Sequence, residues 1–433
     1  MATFHVQNFG CRASQADGAA LESELLRGGL FPAANPSEAQ FVVLNSCTVT
    51  SFADEDVRKT VHRVHRENPA ARILVTGCYA QRAPEELAVL PGVYWVVGNS
   101  HKVRIPEILL ESEAPYHGQI HVGDIFAQRD FLSAPVEAAA GDRTRPNLKI
   151  QDGCNNRCSF CIIPFVRGAS RSAPADGVVA QVRNLAARYR EVVLSGINLG
   201  RWGREAGNST SGTPRLADLI RRLLNETPIE RLRLSSVEPM DWSDDLLGLV
   251  ASSARIAKHV HAPLQSGSDR VLRRMHRKYR PRHYEDRLLK ARAWMPDAAL
   301  GADVMTGFPG ETDAEFEESR CFIESLPFTY LHVFTYSERP GTPAAASVRQ
   351  VPMAERRDRN RILRELAASK NLDFRRRMLG RTLSAVTLTQ GGLSDNFLKV
   401  DLATPREANQ LIDVKIGSLT ASGVREHNPL QVL

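Results

Sequence analysis

Short apolar segments alternate with helical segments along most of this 433-residue chain. In the first part, TFHVQNFG, FVVLNS, RILVTG and VYWVVGN are rich in valine, isoleucine and aromatic residues and predict buried strands. The intervening segments ALESELLRGG, DEDVRKTVHRVHREN and APEELAVL have helical patterns, and Pro84 suits the first turn of a helix. This alternation predicts an α/β fold whose N-terminal part is a doubly wound parallel sheet.

Three of the seven cysteines follow predicted strands of this sheet, namely Cys11, Cys47 and Cys78. Parallel strands end at the same edge of a sheet, where open α/β sheets bind ligands, so we expect these thiols to converge. The alternative is that they are three small buried apolar residues. The odd number of cysteines argues against a disulfide framework. Cys321 lies in the helical segment EFEESRCFIESL and is expected to be a buried core thiol.

A second strand–helix alternation begins after residues 128–146, which lack a clean period and are interpreted as a linker. Its predicted strands are NLKIQD, EVVLSG, RLRLSSV, HVHAPL, LGADVMTG and YLHVFTYS, and six parallel strands joined by helices favour a full or partial (β/α) barrel. Beyond Gly380, the runs RTLSAVTLTQ, NFLKVDLA, QLIDVKIGSLTA and LQVL predict a small antiparallel β-barrel of about fifty residues. The predicted domains are therefore 1–127, 147–379 and 380–433.

The loop GCNNRCSFC places Cys154, Cys158 and Cys161 within one short segment, with no fourth cysteine nearby. Zinc sites and ferredoxin-type electron carriers usually have four protein ligands. A four-iron cluster held by three thiolates instead leaves one iron open to a substrate or cofactor. The loop follows NLKIQD and so lies at the predicted mouth of the barrel, where barrel enzymes carry out chemistry. A non-enzymatic iron–sulfur carrier is the alternative class, but it requires complete four-ligand sites and no barrel.

The sequence GCNNRCSFCIIPFVRG resembles the cluster loop of radical S-adenosylmethionine enzymes. The resemblance implies a [4Fe-4S] cluster on Cys154, Cys158 and Cys161 whose open iron binds S-adenosylmethionine, and a 5'-deoxyadenosyl radical that abstracts hydrogen from an unactivated C–H bond. FGCRASQADG, LNSCTVT and VTGCYAQ resemble the N-terminal motifs of the methylthiotransferase family, which implies a second [4Fe-4S] cluster on the strand-end cysteines. The C-terminal module resembles a TRAM domain.

The resemblance also implies that several further residues bind the cofactor. Phe160 is expected beside the adenine, Gly196 and Asn198 at the barrel rim, and Glu238, Gln265 and Ser266 around the methionine or ribose, with a structural role as the alternative for each. The motif TGFPGET also resembles the family's barrel, although a turn and a helix cap explain it equally well. Arg167 is either a substrate contact or the partner of a nearby acid.

Members of the methylthiotransferase family differ in their substrate. The motifs LNSCTVT, QDGCNNRCSFCIIPFVRG and LSDNFLKV resemble the branch that methylthiolates N6-threonylcarbamoyladenosine at position 37 of tRNA. Isopentenyladenosine at the same position and an aspartate of a ribosomal protein are the alternatives. Arg12-Ala13-Ser14 departs from the Lys-Val-Asn that more usually follows the first cysteine.

The chain carries a formal charge of +7, and the excess is concentrated in two segments. Residues 255–292 contain twelve basic and three acidic residues, and residues 349–381 contain eleven and four. Both segments have helical patterns and form either a surface for the tRNA anticodon loop, whose bases are readily unstacked, or solvated helix faces. There is no apolar run of membrane-spanning length and no secretory signal, so a cytoplasmic protein without a membrane partner is expected, reduced by an electron donor such as flavodoxin or ferredoxin.

Overall fold

The computed structural model describes residues 2–111, 117–128, 131, 144–205 and 214–428. The first part contains the strands β1 (Thr3–Asn8), β2 (Phe31–Pro32), β3 (Phe41–Ser46), β4 (Arg72–Gly77), β5 (Val93–Gly98) and β6 (Gln119–His121). Its helices are α1 (Arg12–Arg27), α2 (Ser51–Glu67), α3 (Cys78–Arg82), α4 (Pro84–Ala88) and α5 (Ile105–Glu111). The strands form one parallel sheet in the order β2-β1-β3-β4-β5-β6, as predicted for this part of the chain.

Helices cover both faces of this sheet. On one face, valines of α2 pack against Val42, Leu44 and Val75. On the other, Leu25 of α1 and Ile108 of α5 pack against Val43 and Trp95. The central strands β3, β4 and β5 are therefore buried on both sides, which explains why they appear in the sequence as continuous apolar runs rather than alternating ones.

The second part contains β7 (Asn147–Asp152), β8 (Arg171–Ser172), β9 (Glu191–Gly196), β10 (Arg231–Leu234), β11 (His259–His261), β12 (Ala299–Thr306) and β13 (Tyr330–Thr335). Its helices are α6 (Ile163–Arg167), α7 (Ala175–Ala186), α8 (Leu216–Glu226), α9 (Asp244–Ser252), α10 (Asp269–Arg274), α11 (Pro281–Trp294), α12 (Asp313–Ser325) and α13 (Met353–Arg377). The strands form two sheets, β10-β9-β7-β8 and β11-β12-β13, joined by a bridge between Leu232 and Ile256. Apart from the two-residue strand β8, which pairs antiparallel, the strands are parallel and form the predicted partial barrel.

The C-terminal part is a closed barrel, in the order β14-β15-β16-β18-β17. Its strands are β14 (Thr382–Thr387), β15 (Gly392–Ser394), β16 (Lys399–Asp401), β17 (Leu411–Leu419) and β18 (Val424–Glu426). All pairs are antiparallel except β16 with β18. The predicted strand LQVL lies outside the described residues, as does most of the predicted linker.

The C-terminal barrel is joined to the larger barrel by buried charge. The Arg233 guanidinium donates to both carboxylate oxygens of Glu191, at 2.7 and 3.3 Å, and to the carbonyl oxygens of Ser394 and Asp395, at 3.0 and 3.1 Å. The Phe397 ring stacks on His259, with 4.4 Å between ring centroids. These contacts lie at the start of strands β9 to β11, so the small barrel covers the end of the larger barrel opposite its mouth.

Cys321 is exposed, and the prediction that it is a buried core thiol is wrong. The buried face of α12 is formed by Phe316, Ser319 and Ile323, and Cys321 lies on the opposite face. Its thiol donates to the Glu317 carboxylate at 3.3 Å. The sequence of α12 has few apolar residues, so it does not show which face of the helix is buried. In the structure that face contains the small Ser319 and not Cys321.

Many basic side chains of the two basic segments form hydrogen bonds and ion pairs within the protein. Arg255 donates to the carbonyl oxygens of Leu224 in the last turn of α8 and of Thr227 and Ile229 in the loop that follows α8. Arg359 of α13 is buried and pairs with Glu311 at 2.9 Å. A count of basic residues therefore overstates the surface charge available to a nucleic acid. In the described part of the chain, no helix has the length and apolar character needed to cross a membrane.

Replacing Arg233 with methionine should loosen the C-terminal barrel from the larger one. Arg233→Met leaves Glu191 and two buried carbonyl oxygens short of a donor, and breaking a buried pair from one side costs about 3–5 kcal/mol. Hydrogen–deuterium exchange of β14 and β15 should become faster. The control is Arg190→Met, whose exposed ion pair with Glu230 is worth at most about 1 kcal/mol. Equal exchange in both variants would contradict this role of Arg233.

Candidate functional site

The structure brings the three strand-end cysteines together. Cys47 follows β3, Cys78 begins α3 directly after β4, and Cys11 precedes α1. A Cβ atom built on Gly10 would lie 2.4 Å from the Cys47 sulfur, so the loop that carries Cys11 contacts the loop that carries Cys47. Burial and the neighbouring thiols of Cys78 and Cys11 raise the pKa of Cys47 to about 12. Cys47 and Cys78 are buried and Cys11 is exposed, so this set of three cysteines is accessible to solvent on the side of Cys11.

The second cysteine loop begins where β7 ends, at the mouth of the partial barrel. The Cys154 amide donates to the Gly168 carbonyl oxygen at 3.1 Å, and the Cys161 amide to that of Cys158 at 3.0 Å. Ser159 anchors the loop to the end of α10, its hydroxyl donating to the Arg274 carbonyl oxygen at 2.7 Å. Burial and the nearby Cys158 thiol raise the pKa of Cys161 to about 12. One short loop therefore presents three sulfur atoms to a common space.

Polar groups donate to the sulfur atoms of this loop. The Asn156 amide and the Asn198 side chain lie 3.4 and 3.7 Å from the Cys154 sulfur, and Arg277 lies 3.2 Å from that of Cys158. Donors of this kind stabilise thiolates, the form in which cysteine binds metal. Both cysteine sets thus have the donor chemistry of an iron–sulfur cluster with three protein ligands.

The two cysteine sets are in direct structural contact. Cys78 of the first set packs against Ile162 and Val166, which follow Cys161 of the second. The Arg167 side chain donates to the Cys78 sulfur at 3.3 Å. Asn99, from the N-terminal sheet, donates to the Val166 carbonyl oxygen at 2.8 Å and lies 3.6 Å from the Cys78 sulfur. Helix α6 therefore connects the barrel's cysteine loop to the set at the edge of the sheet.

A buried ion network surrounds Arg167. Its guanidinium pairs with Asp17 of α1 at 2.9 Å and with Asp152 of β7 at 3.0 Å, and Lys149 contacts both carboxylates. Lys102 lies 3.3 Å from Asp17, so three buried cations face two buried anions. Burial alone would lower the pKa of Arg167, but Cys78, Asp17 and Asp152 together raise it well above its usual value. The excess positive charge complements thiolates and any anionic group bound by them.

Four of the predicted cofactor-binding residues lie around the Cys154 loop. The Phe160 ring is half-buried and meets Phe308 edge-on, with 6.5 Å between centroids. A Cβ atom at Gly196 would lie 2.9 Å from the Gln151 side chain, so β9 needs glycine there to approach β7. The buried Asn198 side-chain oxygen has no hydrogen-bond partner among the described residues. Glu238 pairs with Arg277, which itself contacts Cys158.

Gln265 and Ser266 differ in whether their side chains have hydrogen-bond partners in the protein. Gln265 has a φ of 65°, and its buried side-chain oxygen has no protein hydrogen-bond partner in the described ranges. The Ser266 hydroxyl instead bonds to that of Ser319 at 2.9 Å, which ties the loop to α12. In TGFPGET, Thr312 caps α12 in a capping box with Glu315, so this motif has the helix-cap role that the sequence allowed.

Several residues of this site gave no signal in the sequence. Asp17 lies in a stretch of small residues ahead of the predicted helix segment, and α1 begins at Arg12 rather than near Ala20. Arg277 was only one of many basic residues in its segment. Lys149 and Asp152 offered the one usable clue, because charged residues inside a predicted buried strand need buried partners.

The wall of the partial barrel is also polar. Asp303 of β12 lies 3.3 Å from His261 of β11 and 3.2 Å from His332 of β13. The His259 ring bonds to the Tyr330 hydroxyl at 2.7 Å. These side chains suit a polar, aromatic ligand such as a nucleobase better than an apolar ligand.

A substitution at Gly10 should remove the first cluster without unfolding the chain. Gly10→Ala would place a methyl group 2.4 Å from the Cys47 sulfur, so iron bound after anaerobic reconstitution should fall from roughly eight to roughly four atoms per chain. Gly29→Ala is the matched control, because Gly29 has a similar φ, +83° against +85°, but no atom within 4 Å of the added Cβ. Full iron content in Gly10→Ala would argue against a cluster at Cys11, Cys47 and Cys78.

Two family models match separate parts of the chain. Residues 148–323 match the radical SAM superfamily, and residues 3–98 match a family described as uncharacterized protein family UPF0004. The first match contains the Cys154 loop and most of the partial barrel. The second contains Cys11, Cys47 and Cys78.

Solved structures with the same fold are distant in sequence. The radical S-adenosylmethionine methyltransferase TsrM from Kitasatospora setae matches with a TM-score of 0.59 and 16% identity, covering 81% of this chain and 77% of that one. The cobalamin-dependent S-adenosylmethionine radical enzyme OxsB matches with a TM-score of 0.52 and 11% identity, covering 85% and 56%. At this identity the likeness concerns the fold alone.

Relatives of known name match over nearly the whole chain. The threonylcarbamoyladenosine tRNA methylthiotransferase MtaB of Aquifex aeolicus (strain VF5) is 35% identical, over 95% of this chain and 99% of its own length. MtaB of Bacillus subtilis (strain 168) is 38% identical, over 86% and 81%. The tRNA-2-methylthio-N(6)-dimethylallyladenosine synthase of Novosphingobium aromaticivorans is 33% identical, over 90% and 87%. Enzymes of this kind use S-adenosylmethionine and two [4Fe-4S] clusters, and this chain is a member of the radical SAM tRNA methylthiotransferase family.

Proposed function

We propose that this protein converts N6-threonylcarbamoyladenosine at position 37 of tRNA to its 2-methylthio derivative. The observation that carries the proposal is the similarity of 35–38% to two enzymes named for threonylcarbamoyladenosine, spread over at least 86% of the chain. A match over 95% of this chain and 99% of the relative extends far beyond either of the two regions that the family models match. The reaction replaces a C–H bond of the adenine by a C–S–CH3 group.

The cysteine sets divide the chemistry between them. Cys154, Cys158 and Cys161 would hold the cluster that binds S-adenosylmethionine, and Cys11, Cys47 and Cys78 would hold the second cluster. When bound, the first cluster and S-adenosylmethionine supply the hydrogen-abstracting radical, and the second cluster and another S-adenosylmethionine supply the methylthio group. The contact of Cys78 with Ile162 and Val166 supports a shared substrate position between the two sets.

Protein groups at the mouth of the partial barrel suit a cofactor that carries ammonium and hydroxyl donors. The Asn198 and Gln265 side-chain oxygens are buried acceptors without protein donors in the part of the chain that is described, so an ammonium or hydroxyl donor would satisfy them. Arg277 orients the Glu238 carboxylate, a further acceptor at the same rim. Phe160 offers a ring face or edge for the adenine. Gly196 is required for the close approach of β9 to β7, and Ser266 supports the loop through α12.

Dimethylallyladenosine is the second candidate substrate. Relatives named for that nucleoside are 32–33% identical over 90–96% of this chain, slightly below the values for the threonylcarbamoyladenosine enzymes of Aquifex and Bacillus. The polar wall formed by His261, Asp303 and His332 favours a substrate with a polar substituent over an apolar dimethylallyl group.

The partners of this reaction follow from its chemistry. The tRNA must present the base of its anticodon loop unstacked, as single-stranded loop bases readily are. Reduction of the cluster requires a low-potential electron donor such as a flavodoxin or ferredoxin.

We place the protein in the cytoplasm, where tRNA is modified. We also propose that the chain has three domains: the N-terminal sheet (residues 1–127), the barrel (residues 147–379) and an RNA-contacting module (residues 380–433).

Nucleoside mass spectrometry of tRNA tests the function. Cells lacking this protein should lose 2-methylthio-N6-threonylcarbamoyladenosine and accumulate its precursor, with other modified adenosines unchanged. Complementation with Cys321→Ala should restore the product, because Cys321 is exposed on α12, whereas Cys154→Ala should not. Loss of 2-methylthio-dimethylallyladenosine instead would select the second candidate, and an unchanged nucleoside profile would refute both.

A further inference from the structure

The interior face of strands β12 and β13 consists of three pairs of residues. Leu300 and Val304 of β12 and Val333 of β13 belong to the core beneath the surrounding helices, so the residues that alternate with them face the barrel interior. The strand register joins those interior residues in three pairs, which from floor to mouth are Gly301 with Tyr330, Asp303 with His332, and Met305 with Phe334.

The three pairs differ in chemistry. At the floor, the Tyr330 ring meets Phe397 of the C-terminal barrel, with 5.3 Å between ring centroids, so the interior is closed there. The middle pair is polar. The pair nearest the mouth is apolar, and its Phe334 side chain is 38% exposed. A flat aromatic base with a polar substituent matches this order, with the base at the level of Phe334 and the substituent at the level of the middle pair.

The middle pair lies below the space between the two cysteine sets. Strand β12 leads to Phe308, whose ring meets Phe160 of the Cys154 loop edge-on. Strand β13 leads to Arg339, which donates to the carbonyl oxygen of Thr48, the residue after Cys47, at 3.2 Å. Both strands end three residues beyond the middle pair, which is roughly 10 Å of strand at about 3.3 Å per residue. A substituent that enters the barrel from a base held between the two sets therefore points toward this pair.

His332 has one ring nitrogen available to a ligand. Its Nδ1 donates to the Asp303 carboxylate at 3.2 Å, and its Nε2 makes no hydrogen bond with any residue that the structure describes. The His332 side chain is 57% exposed, whereas His261, which lies 3.3 Å from the same carboxylate, is buried. Because Asp303 fixes the ring through Nδ1, a protonated Nε2 is presented to the barrel interior as a hydrogen-bond donor.

We propose that His332, held by Asp303, donates from Nε2 to the carboxylate of the substrate's N6-threonylcarbamoyl group and so selects this nucleoside. The proposal rests on the proposed function and deepens it. The protonated imidazole would lie between two carboxylates and donate to each, and a hydrogen bond between charged groups is stronger than a neutral one. A dimethylallyl group has neither charge nor acceptor and would cover the polar pair without bonding to it. A tRNA phosphate shares the anionic chemistry of the carboxylate, and the test separates the two sources.

The test compares three anticodon stem–loop RNAs that differ only in residue 37, which is N6-threonylcarbamoyladenosine, dimethylallyladenosine or adenosine. Binding to the reconstituted holoenzyme with S-adenosylmethionine is measured at one fixed salt concentration. The wild type should prefer the threonylcarbamoyl RNA to both others. His332→Leu should reduce that preference roughly ten- to hundredfold, the usual effect of one charged hydrogen bond, without weakening binding of the adenosine RNA. His332→Gln, which keeps a side-chain N–H donor, should retain part of the preference.

The matched control is His62→Leu, at an exposed position of α2, which should leave all three affinities unchanged. Iron content and the spectral shift on S-adenosylmethionine addition should be the same in all variants. In His332→Leu, an equal loss of affinity for the three RNAs would assign His332 to a phosphate, and a loss of cluster iron would assign it to a cluster site. Loss of another bound divalent metal would assign His261, Asp303 and His332 to a metal ion, and an unaltered preference would leave His332 no role. Each of these results overturns the proposal.

The same samples report separately on the proposed function. If the wild type forms no 2-methylthio product from the threonylcarbamoyl RNA, the function itself is refuted. If it forms the product while His332→Leu keeps the full binding preference, only the assignment of His332 fails.

Discussion

The buried guanidinium of Arg167 is the contact on which the arrangement of the two cysteine sets depends. It belongs to α6 of the barrel, yet it bonds to Cys78 of the N-terminal sheet, to Asp17 of α1 and to Asp152 of β7. A charge buried this deeply is stable only while all of its partners are in place, because the loss of one leaves an uncompensated ion. The network therefore fixes the sheet edge against the barrel mouth more strictly than apolar packing alone would. The relative position of the two sets follows from it.

Much of this arrangement could be predicted from the sequence because it follows from strand direction. Cys11, Cys47 and Cys78 each follow a parallel strand, and the common edge of the sheet brings them together without any knowledge of side-chain packing. The Cys154 loop was predicted at the barrel mouth for the same reason. Strand β6 was missed because its three residues pair in the sheet without an apolar pattern.

The parts that could not be predicted depend on long-range pairing of polar residues. Nothing near Asp17 in the sequence indicates that it meets Lys102 and Lys149, and nothing distinguishes Arg277, which contacts Cys158, from the exposed arginines around it. The same limit explains the error at Cys321, since α12 buries Ser319 to bond with Ser266. Residue type alone does not reveal which charges a fold pairs internally, so the basic segments suggested more free positive charge than the structure presents.

We infer that two cysteine sets from different parts of the chain hold their clusters within one shared pocket. Electron paramagnetic resonance of the reduced holoenzyme tests it directly, because two paramagnetic clusters at short range broaden and split each other's signals. If the clusters share one pocket, the holoenzyme spectrum should differ from the sum of the spectra of Cys47→Ala and Cys154→Ala, each of which keeps one cluster. A holoenzyme spectrum equal to that sum would contradict it.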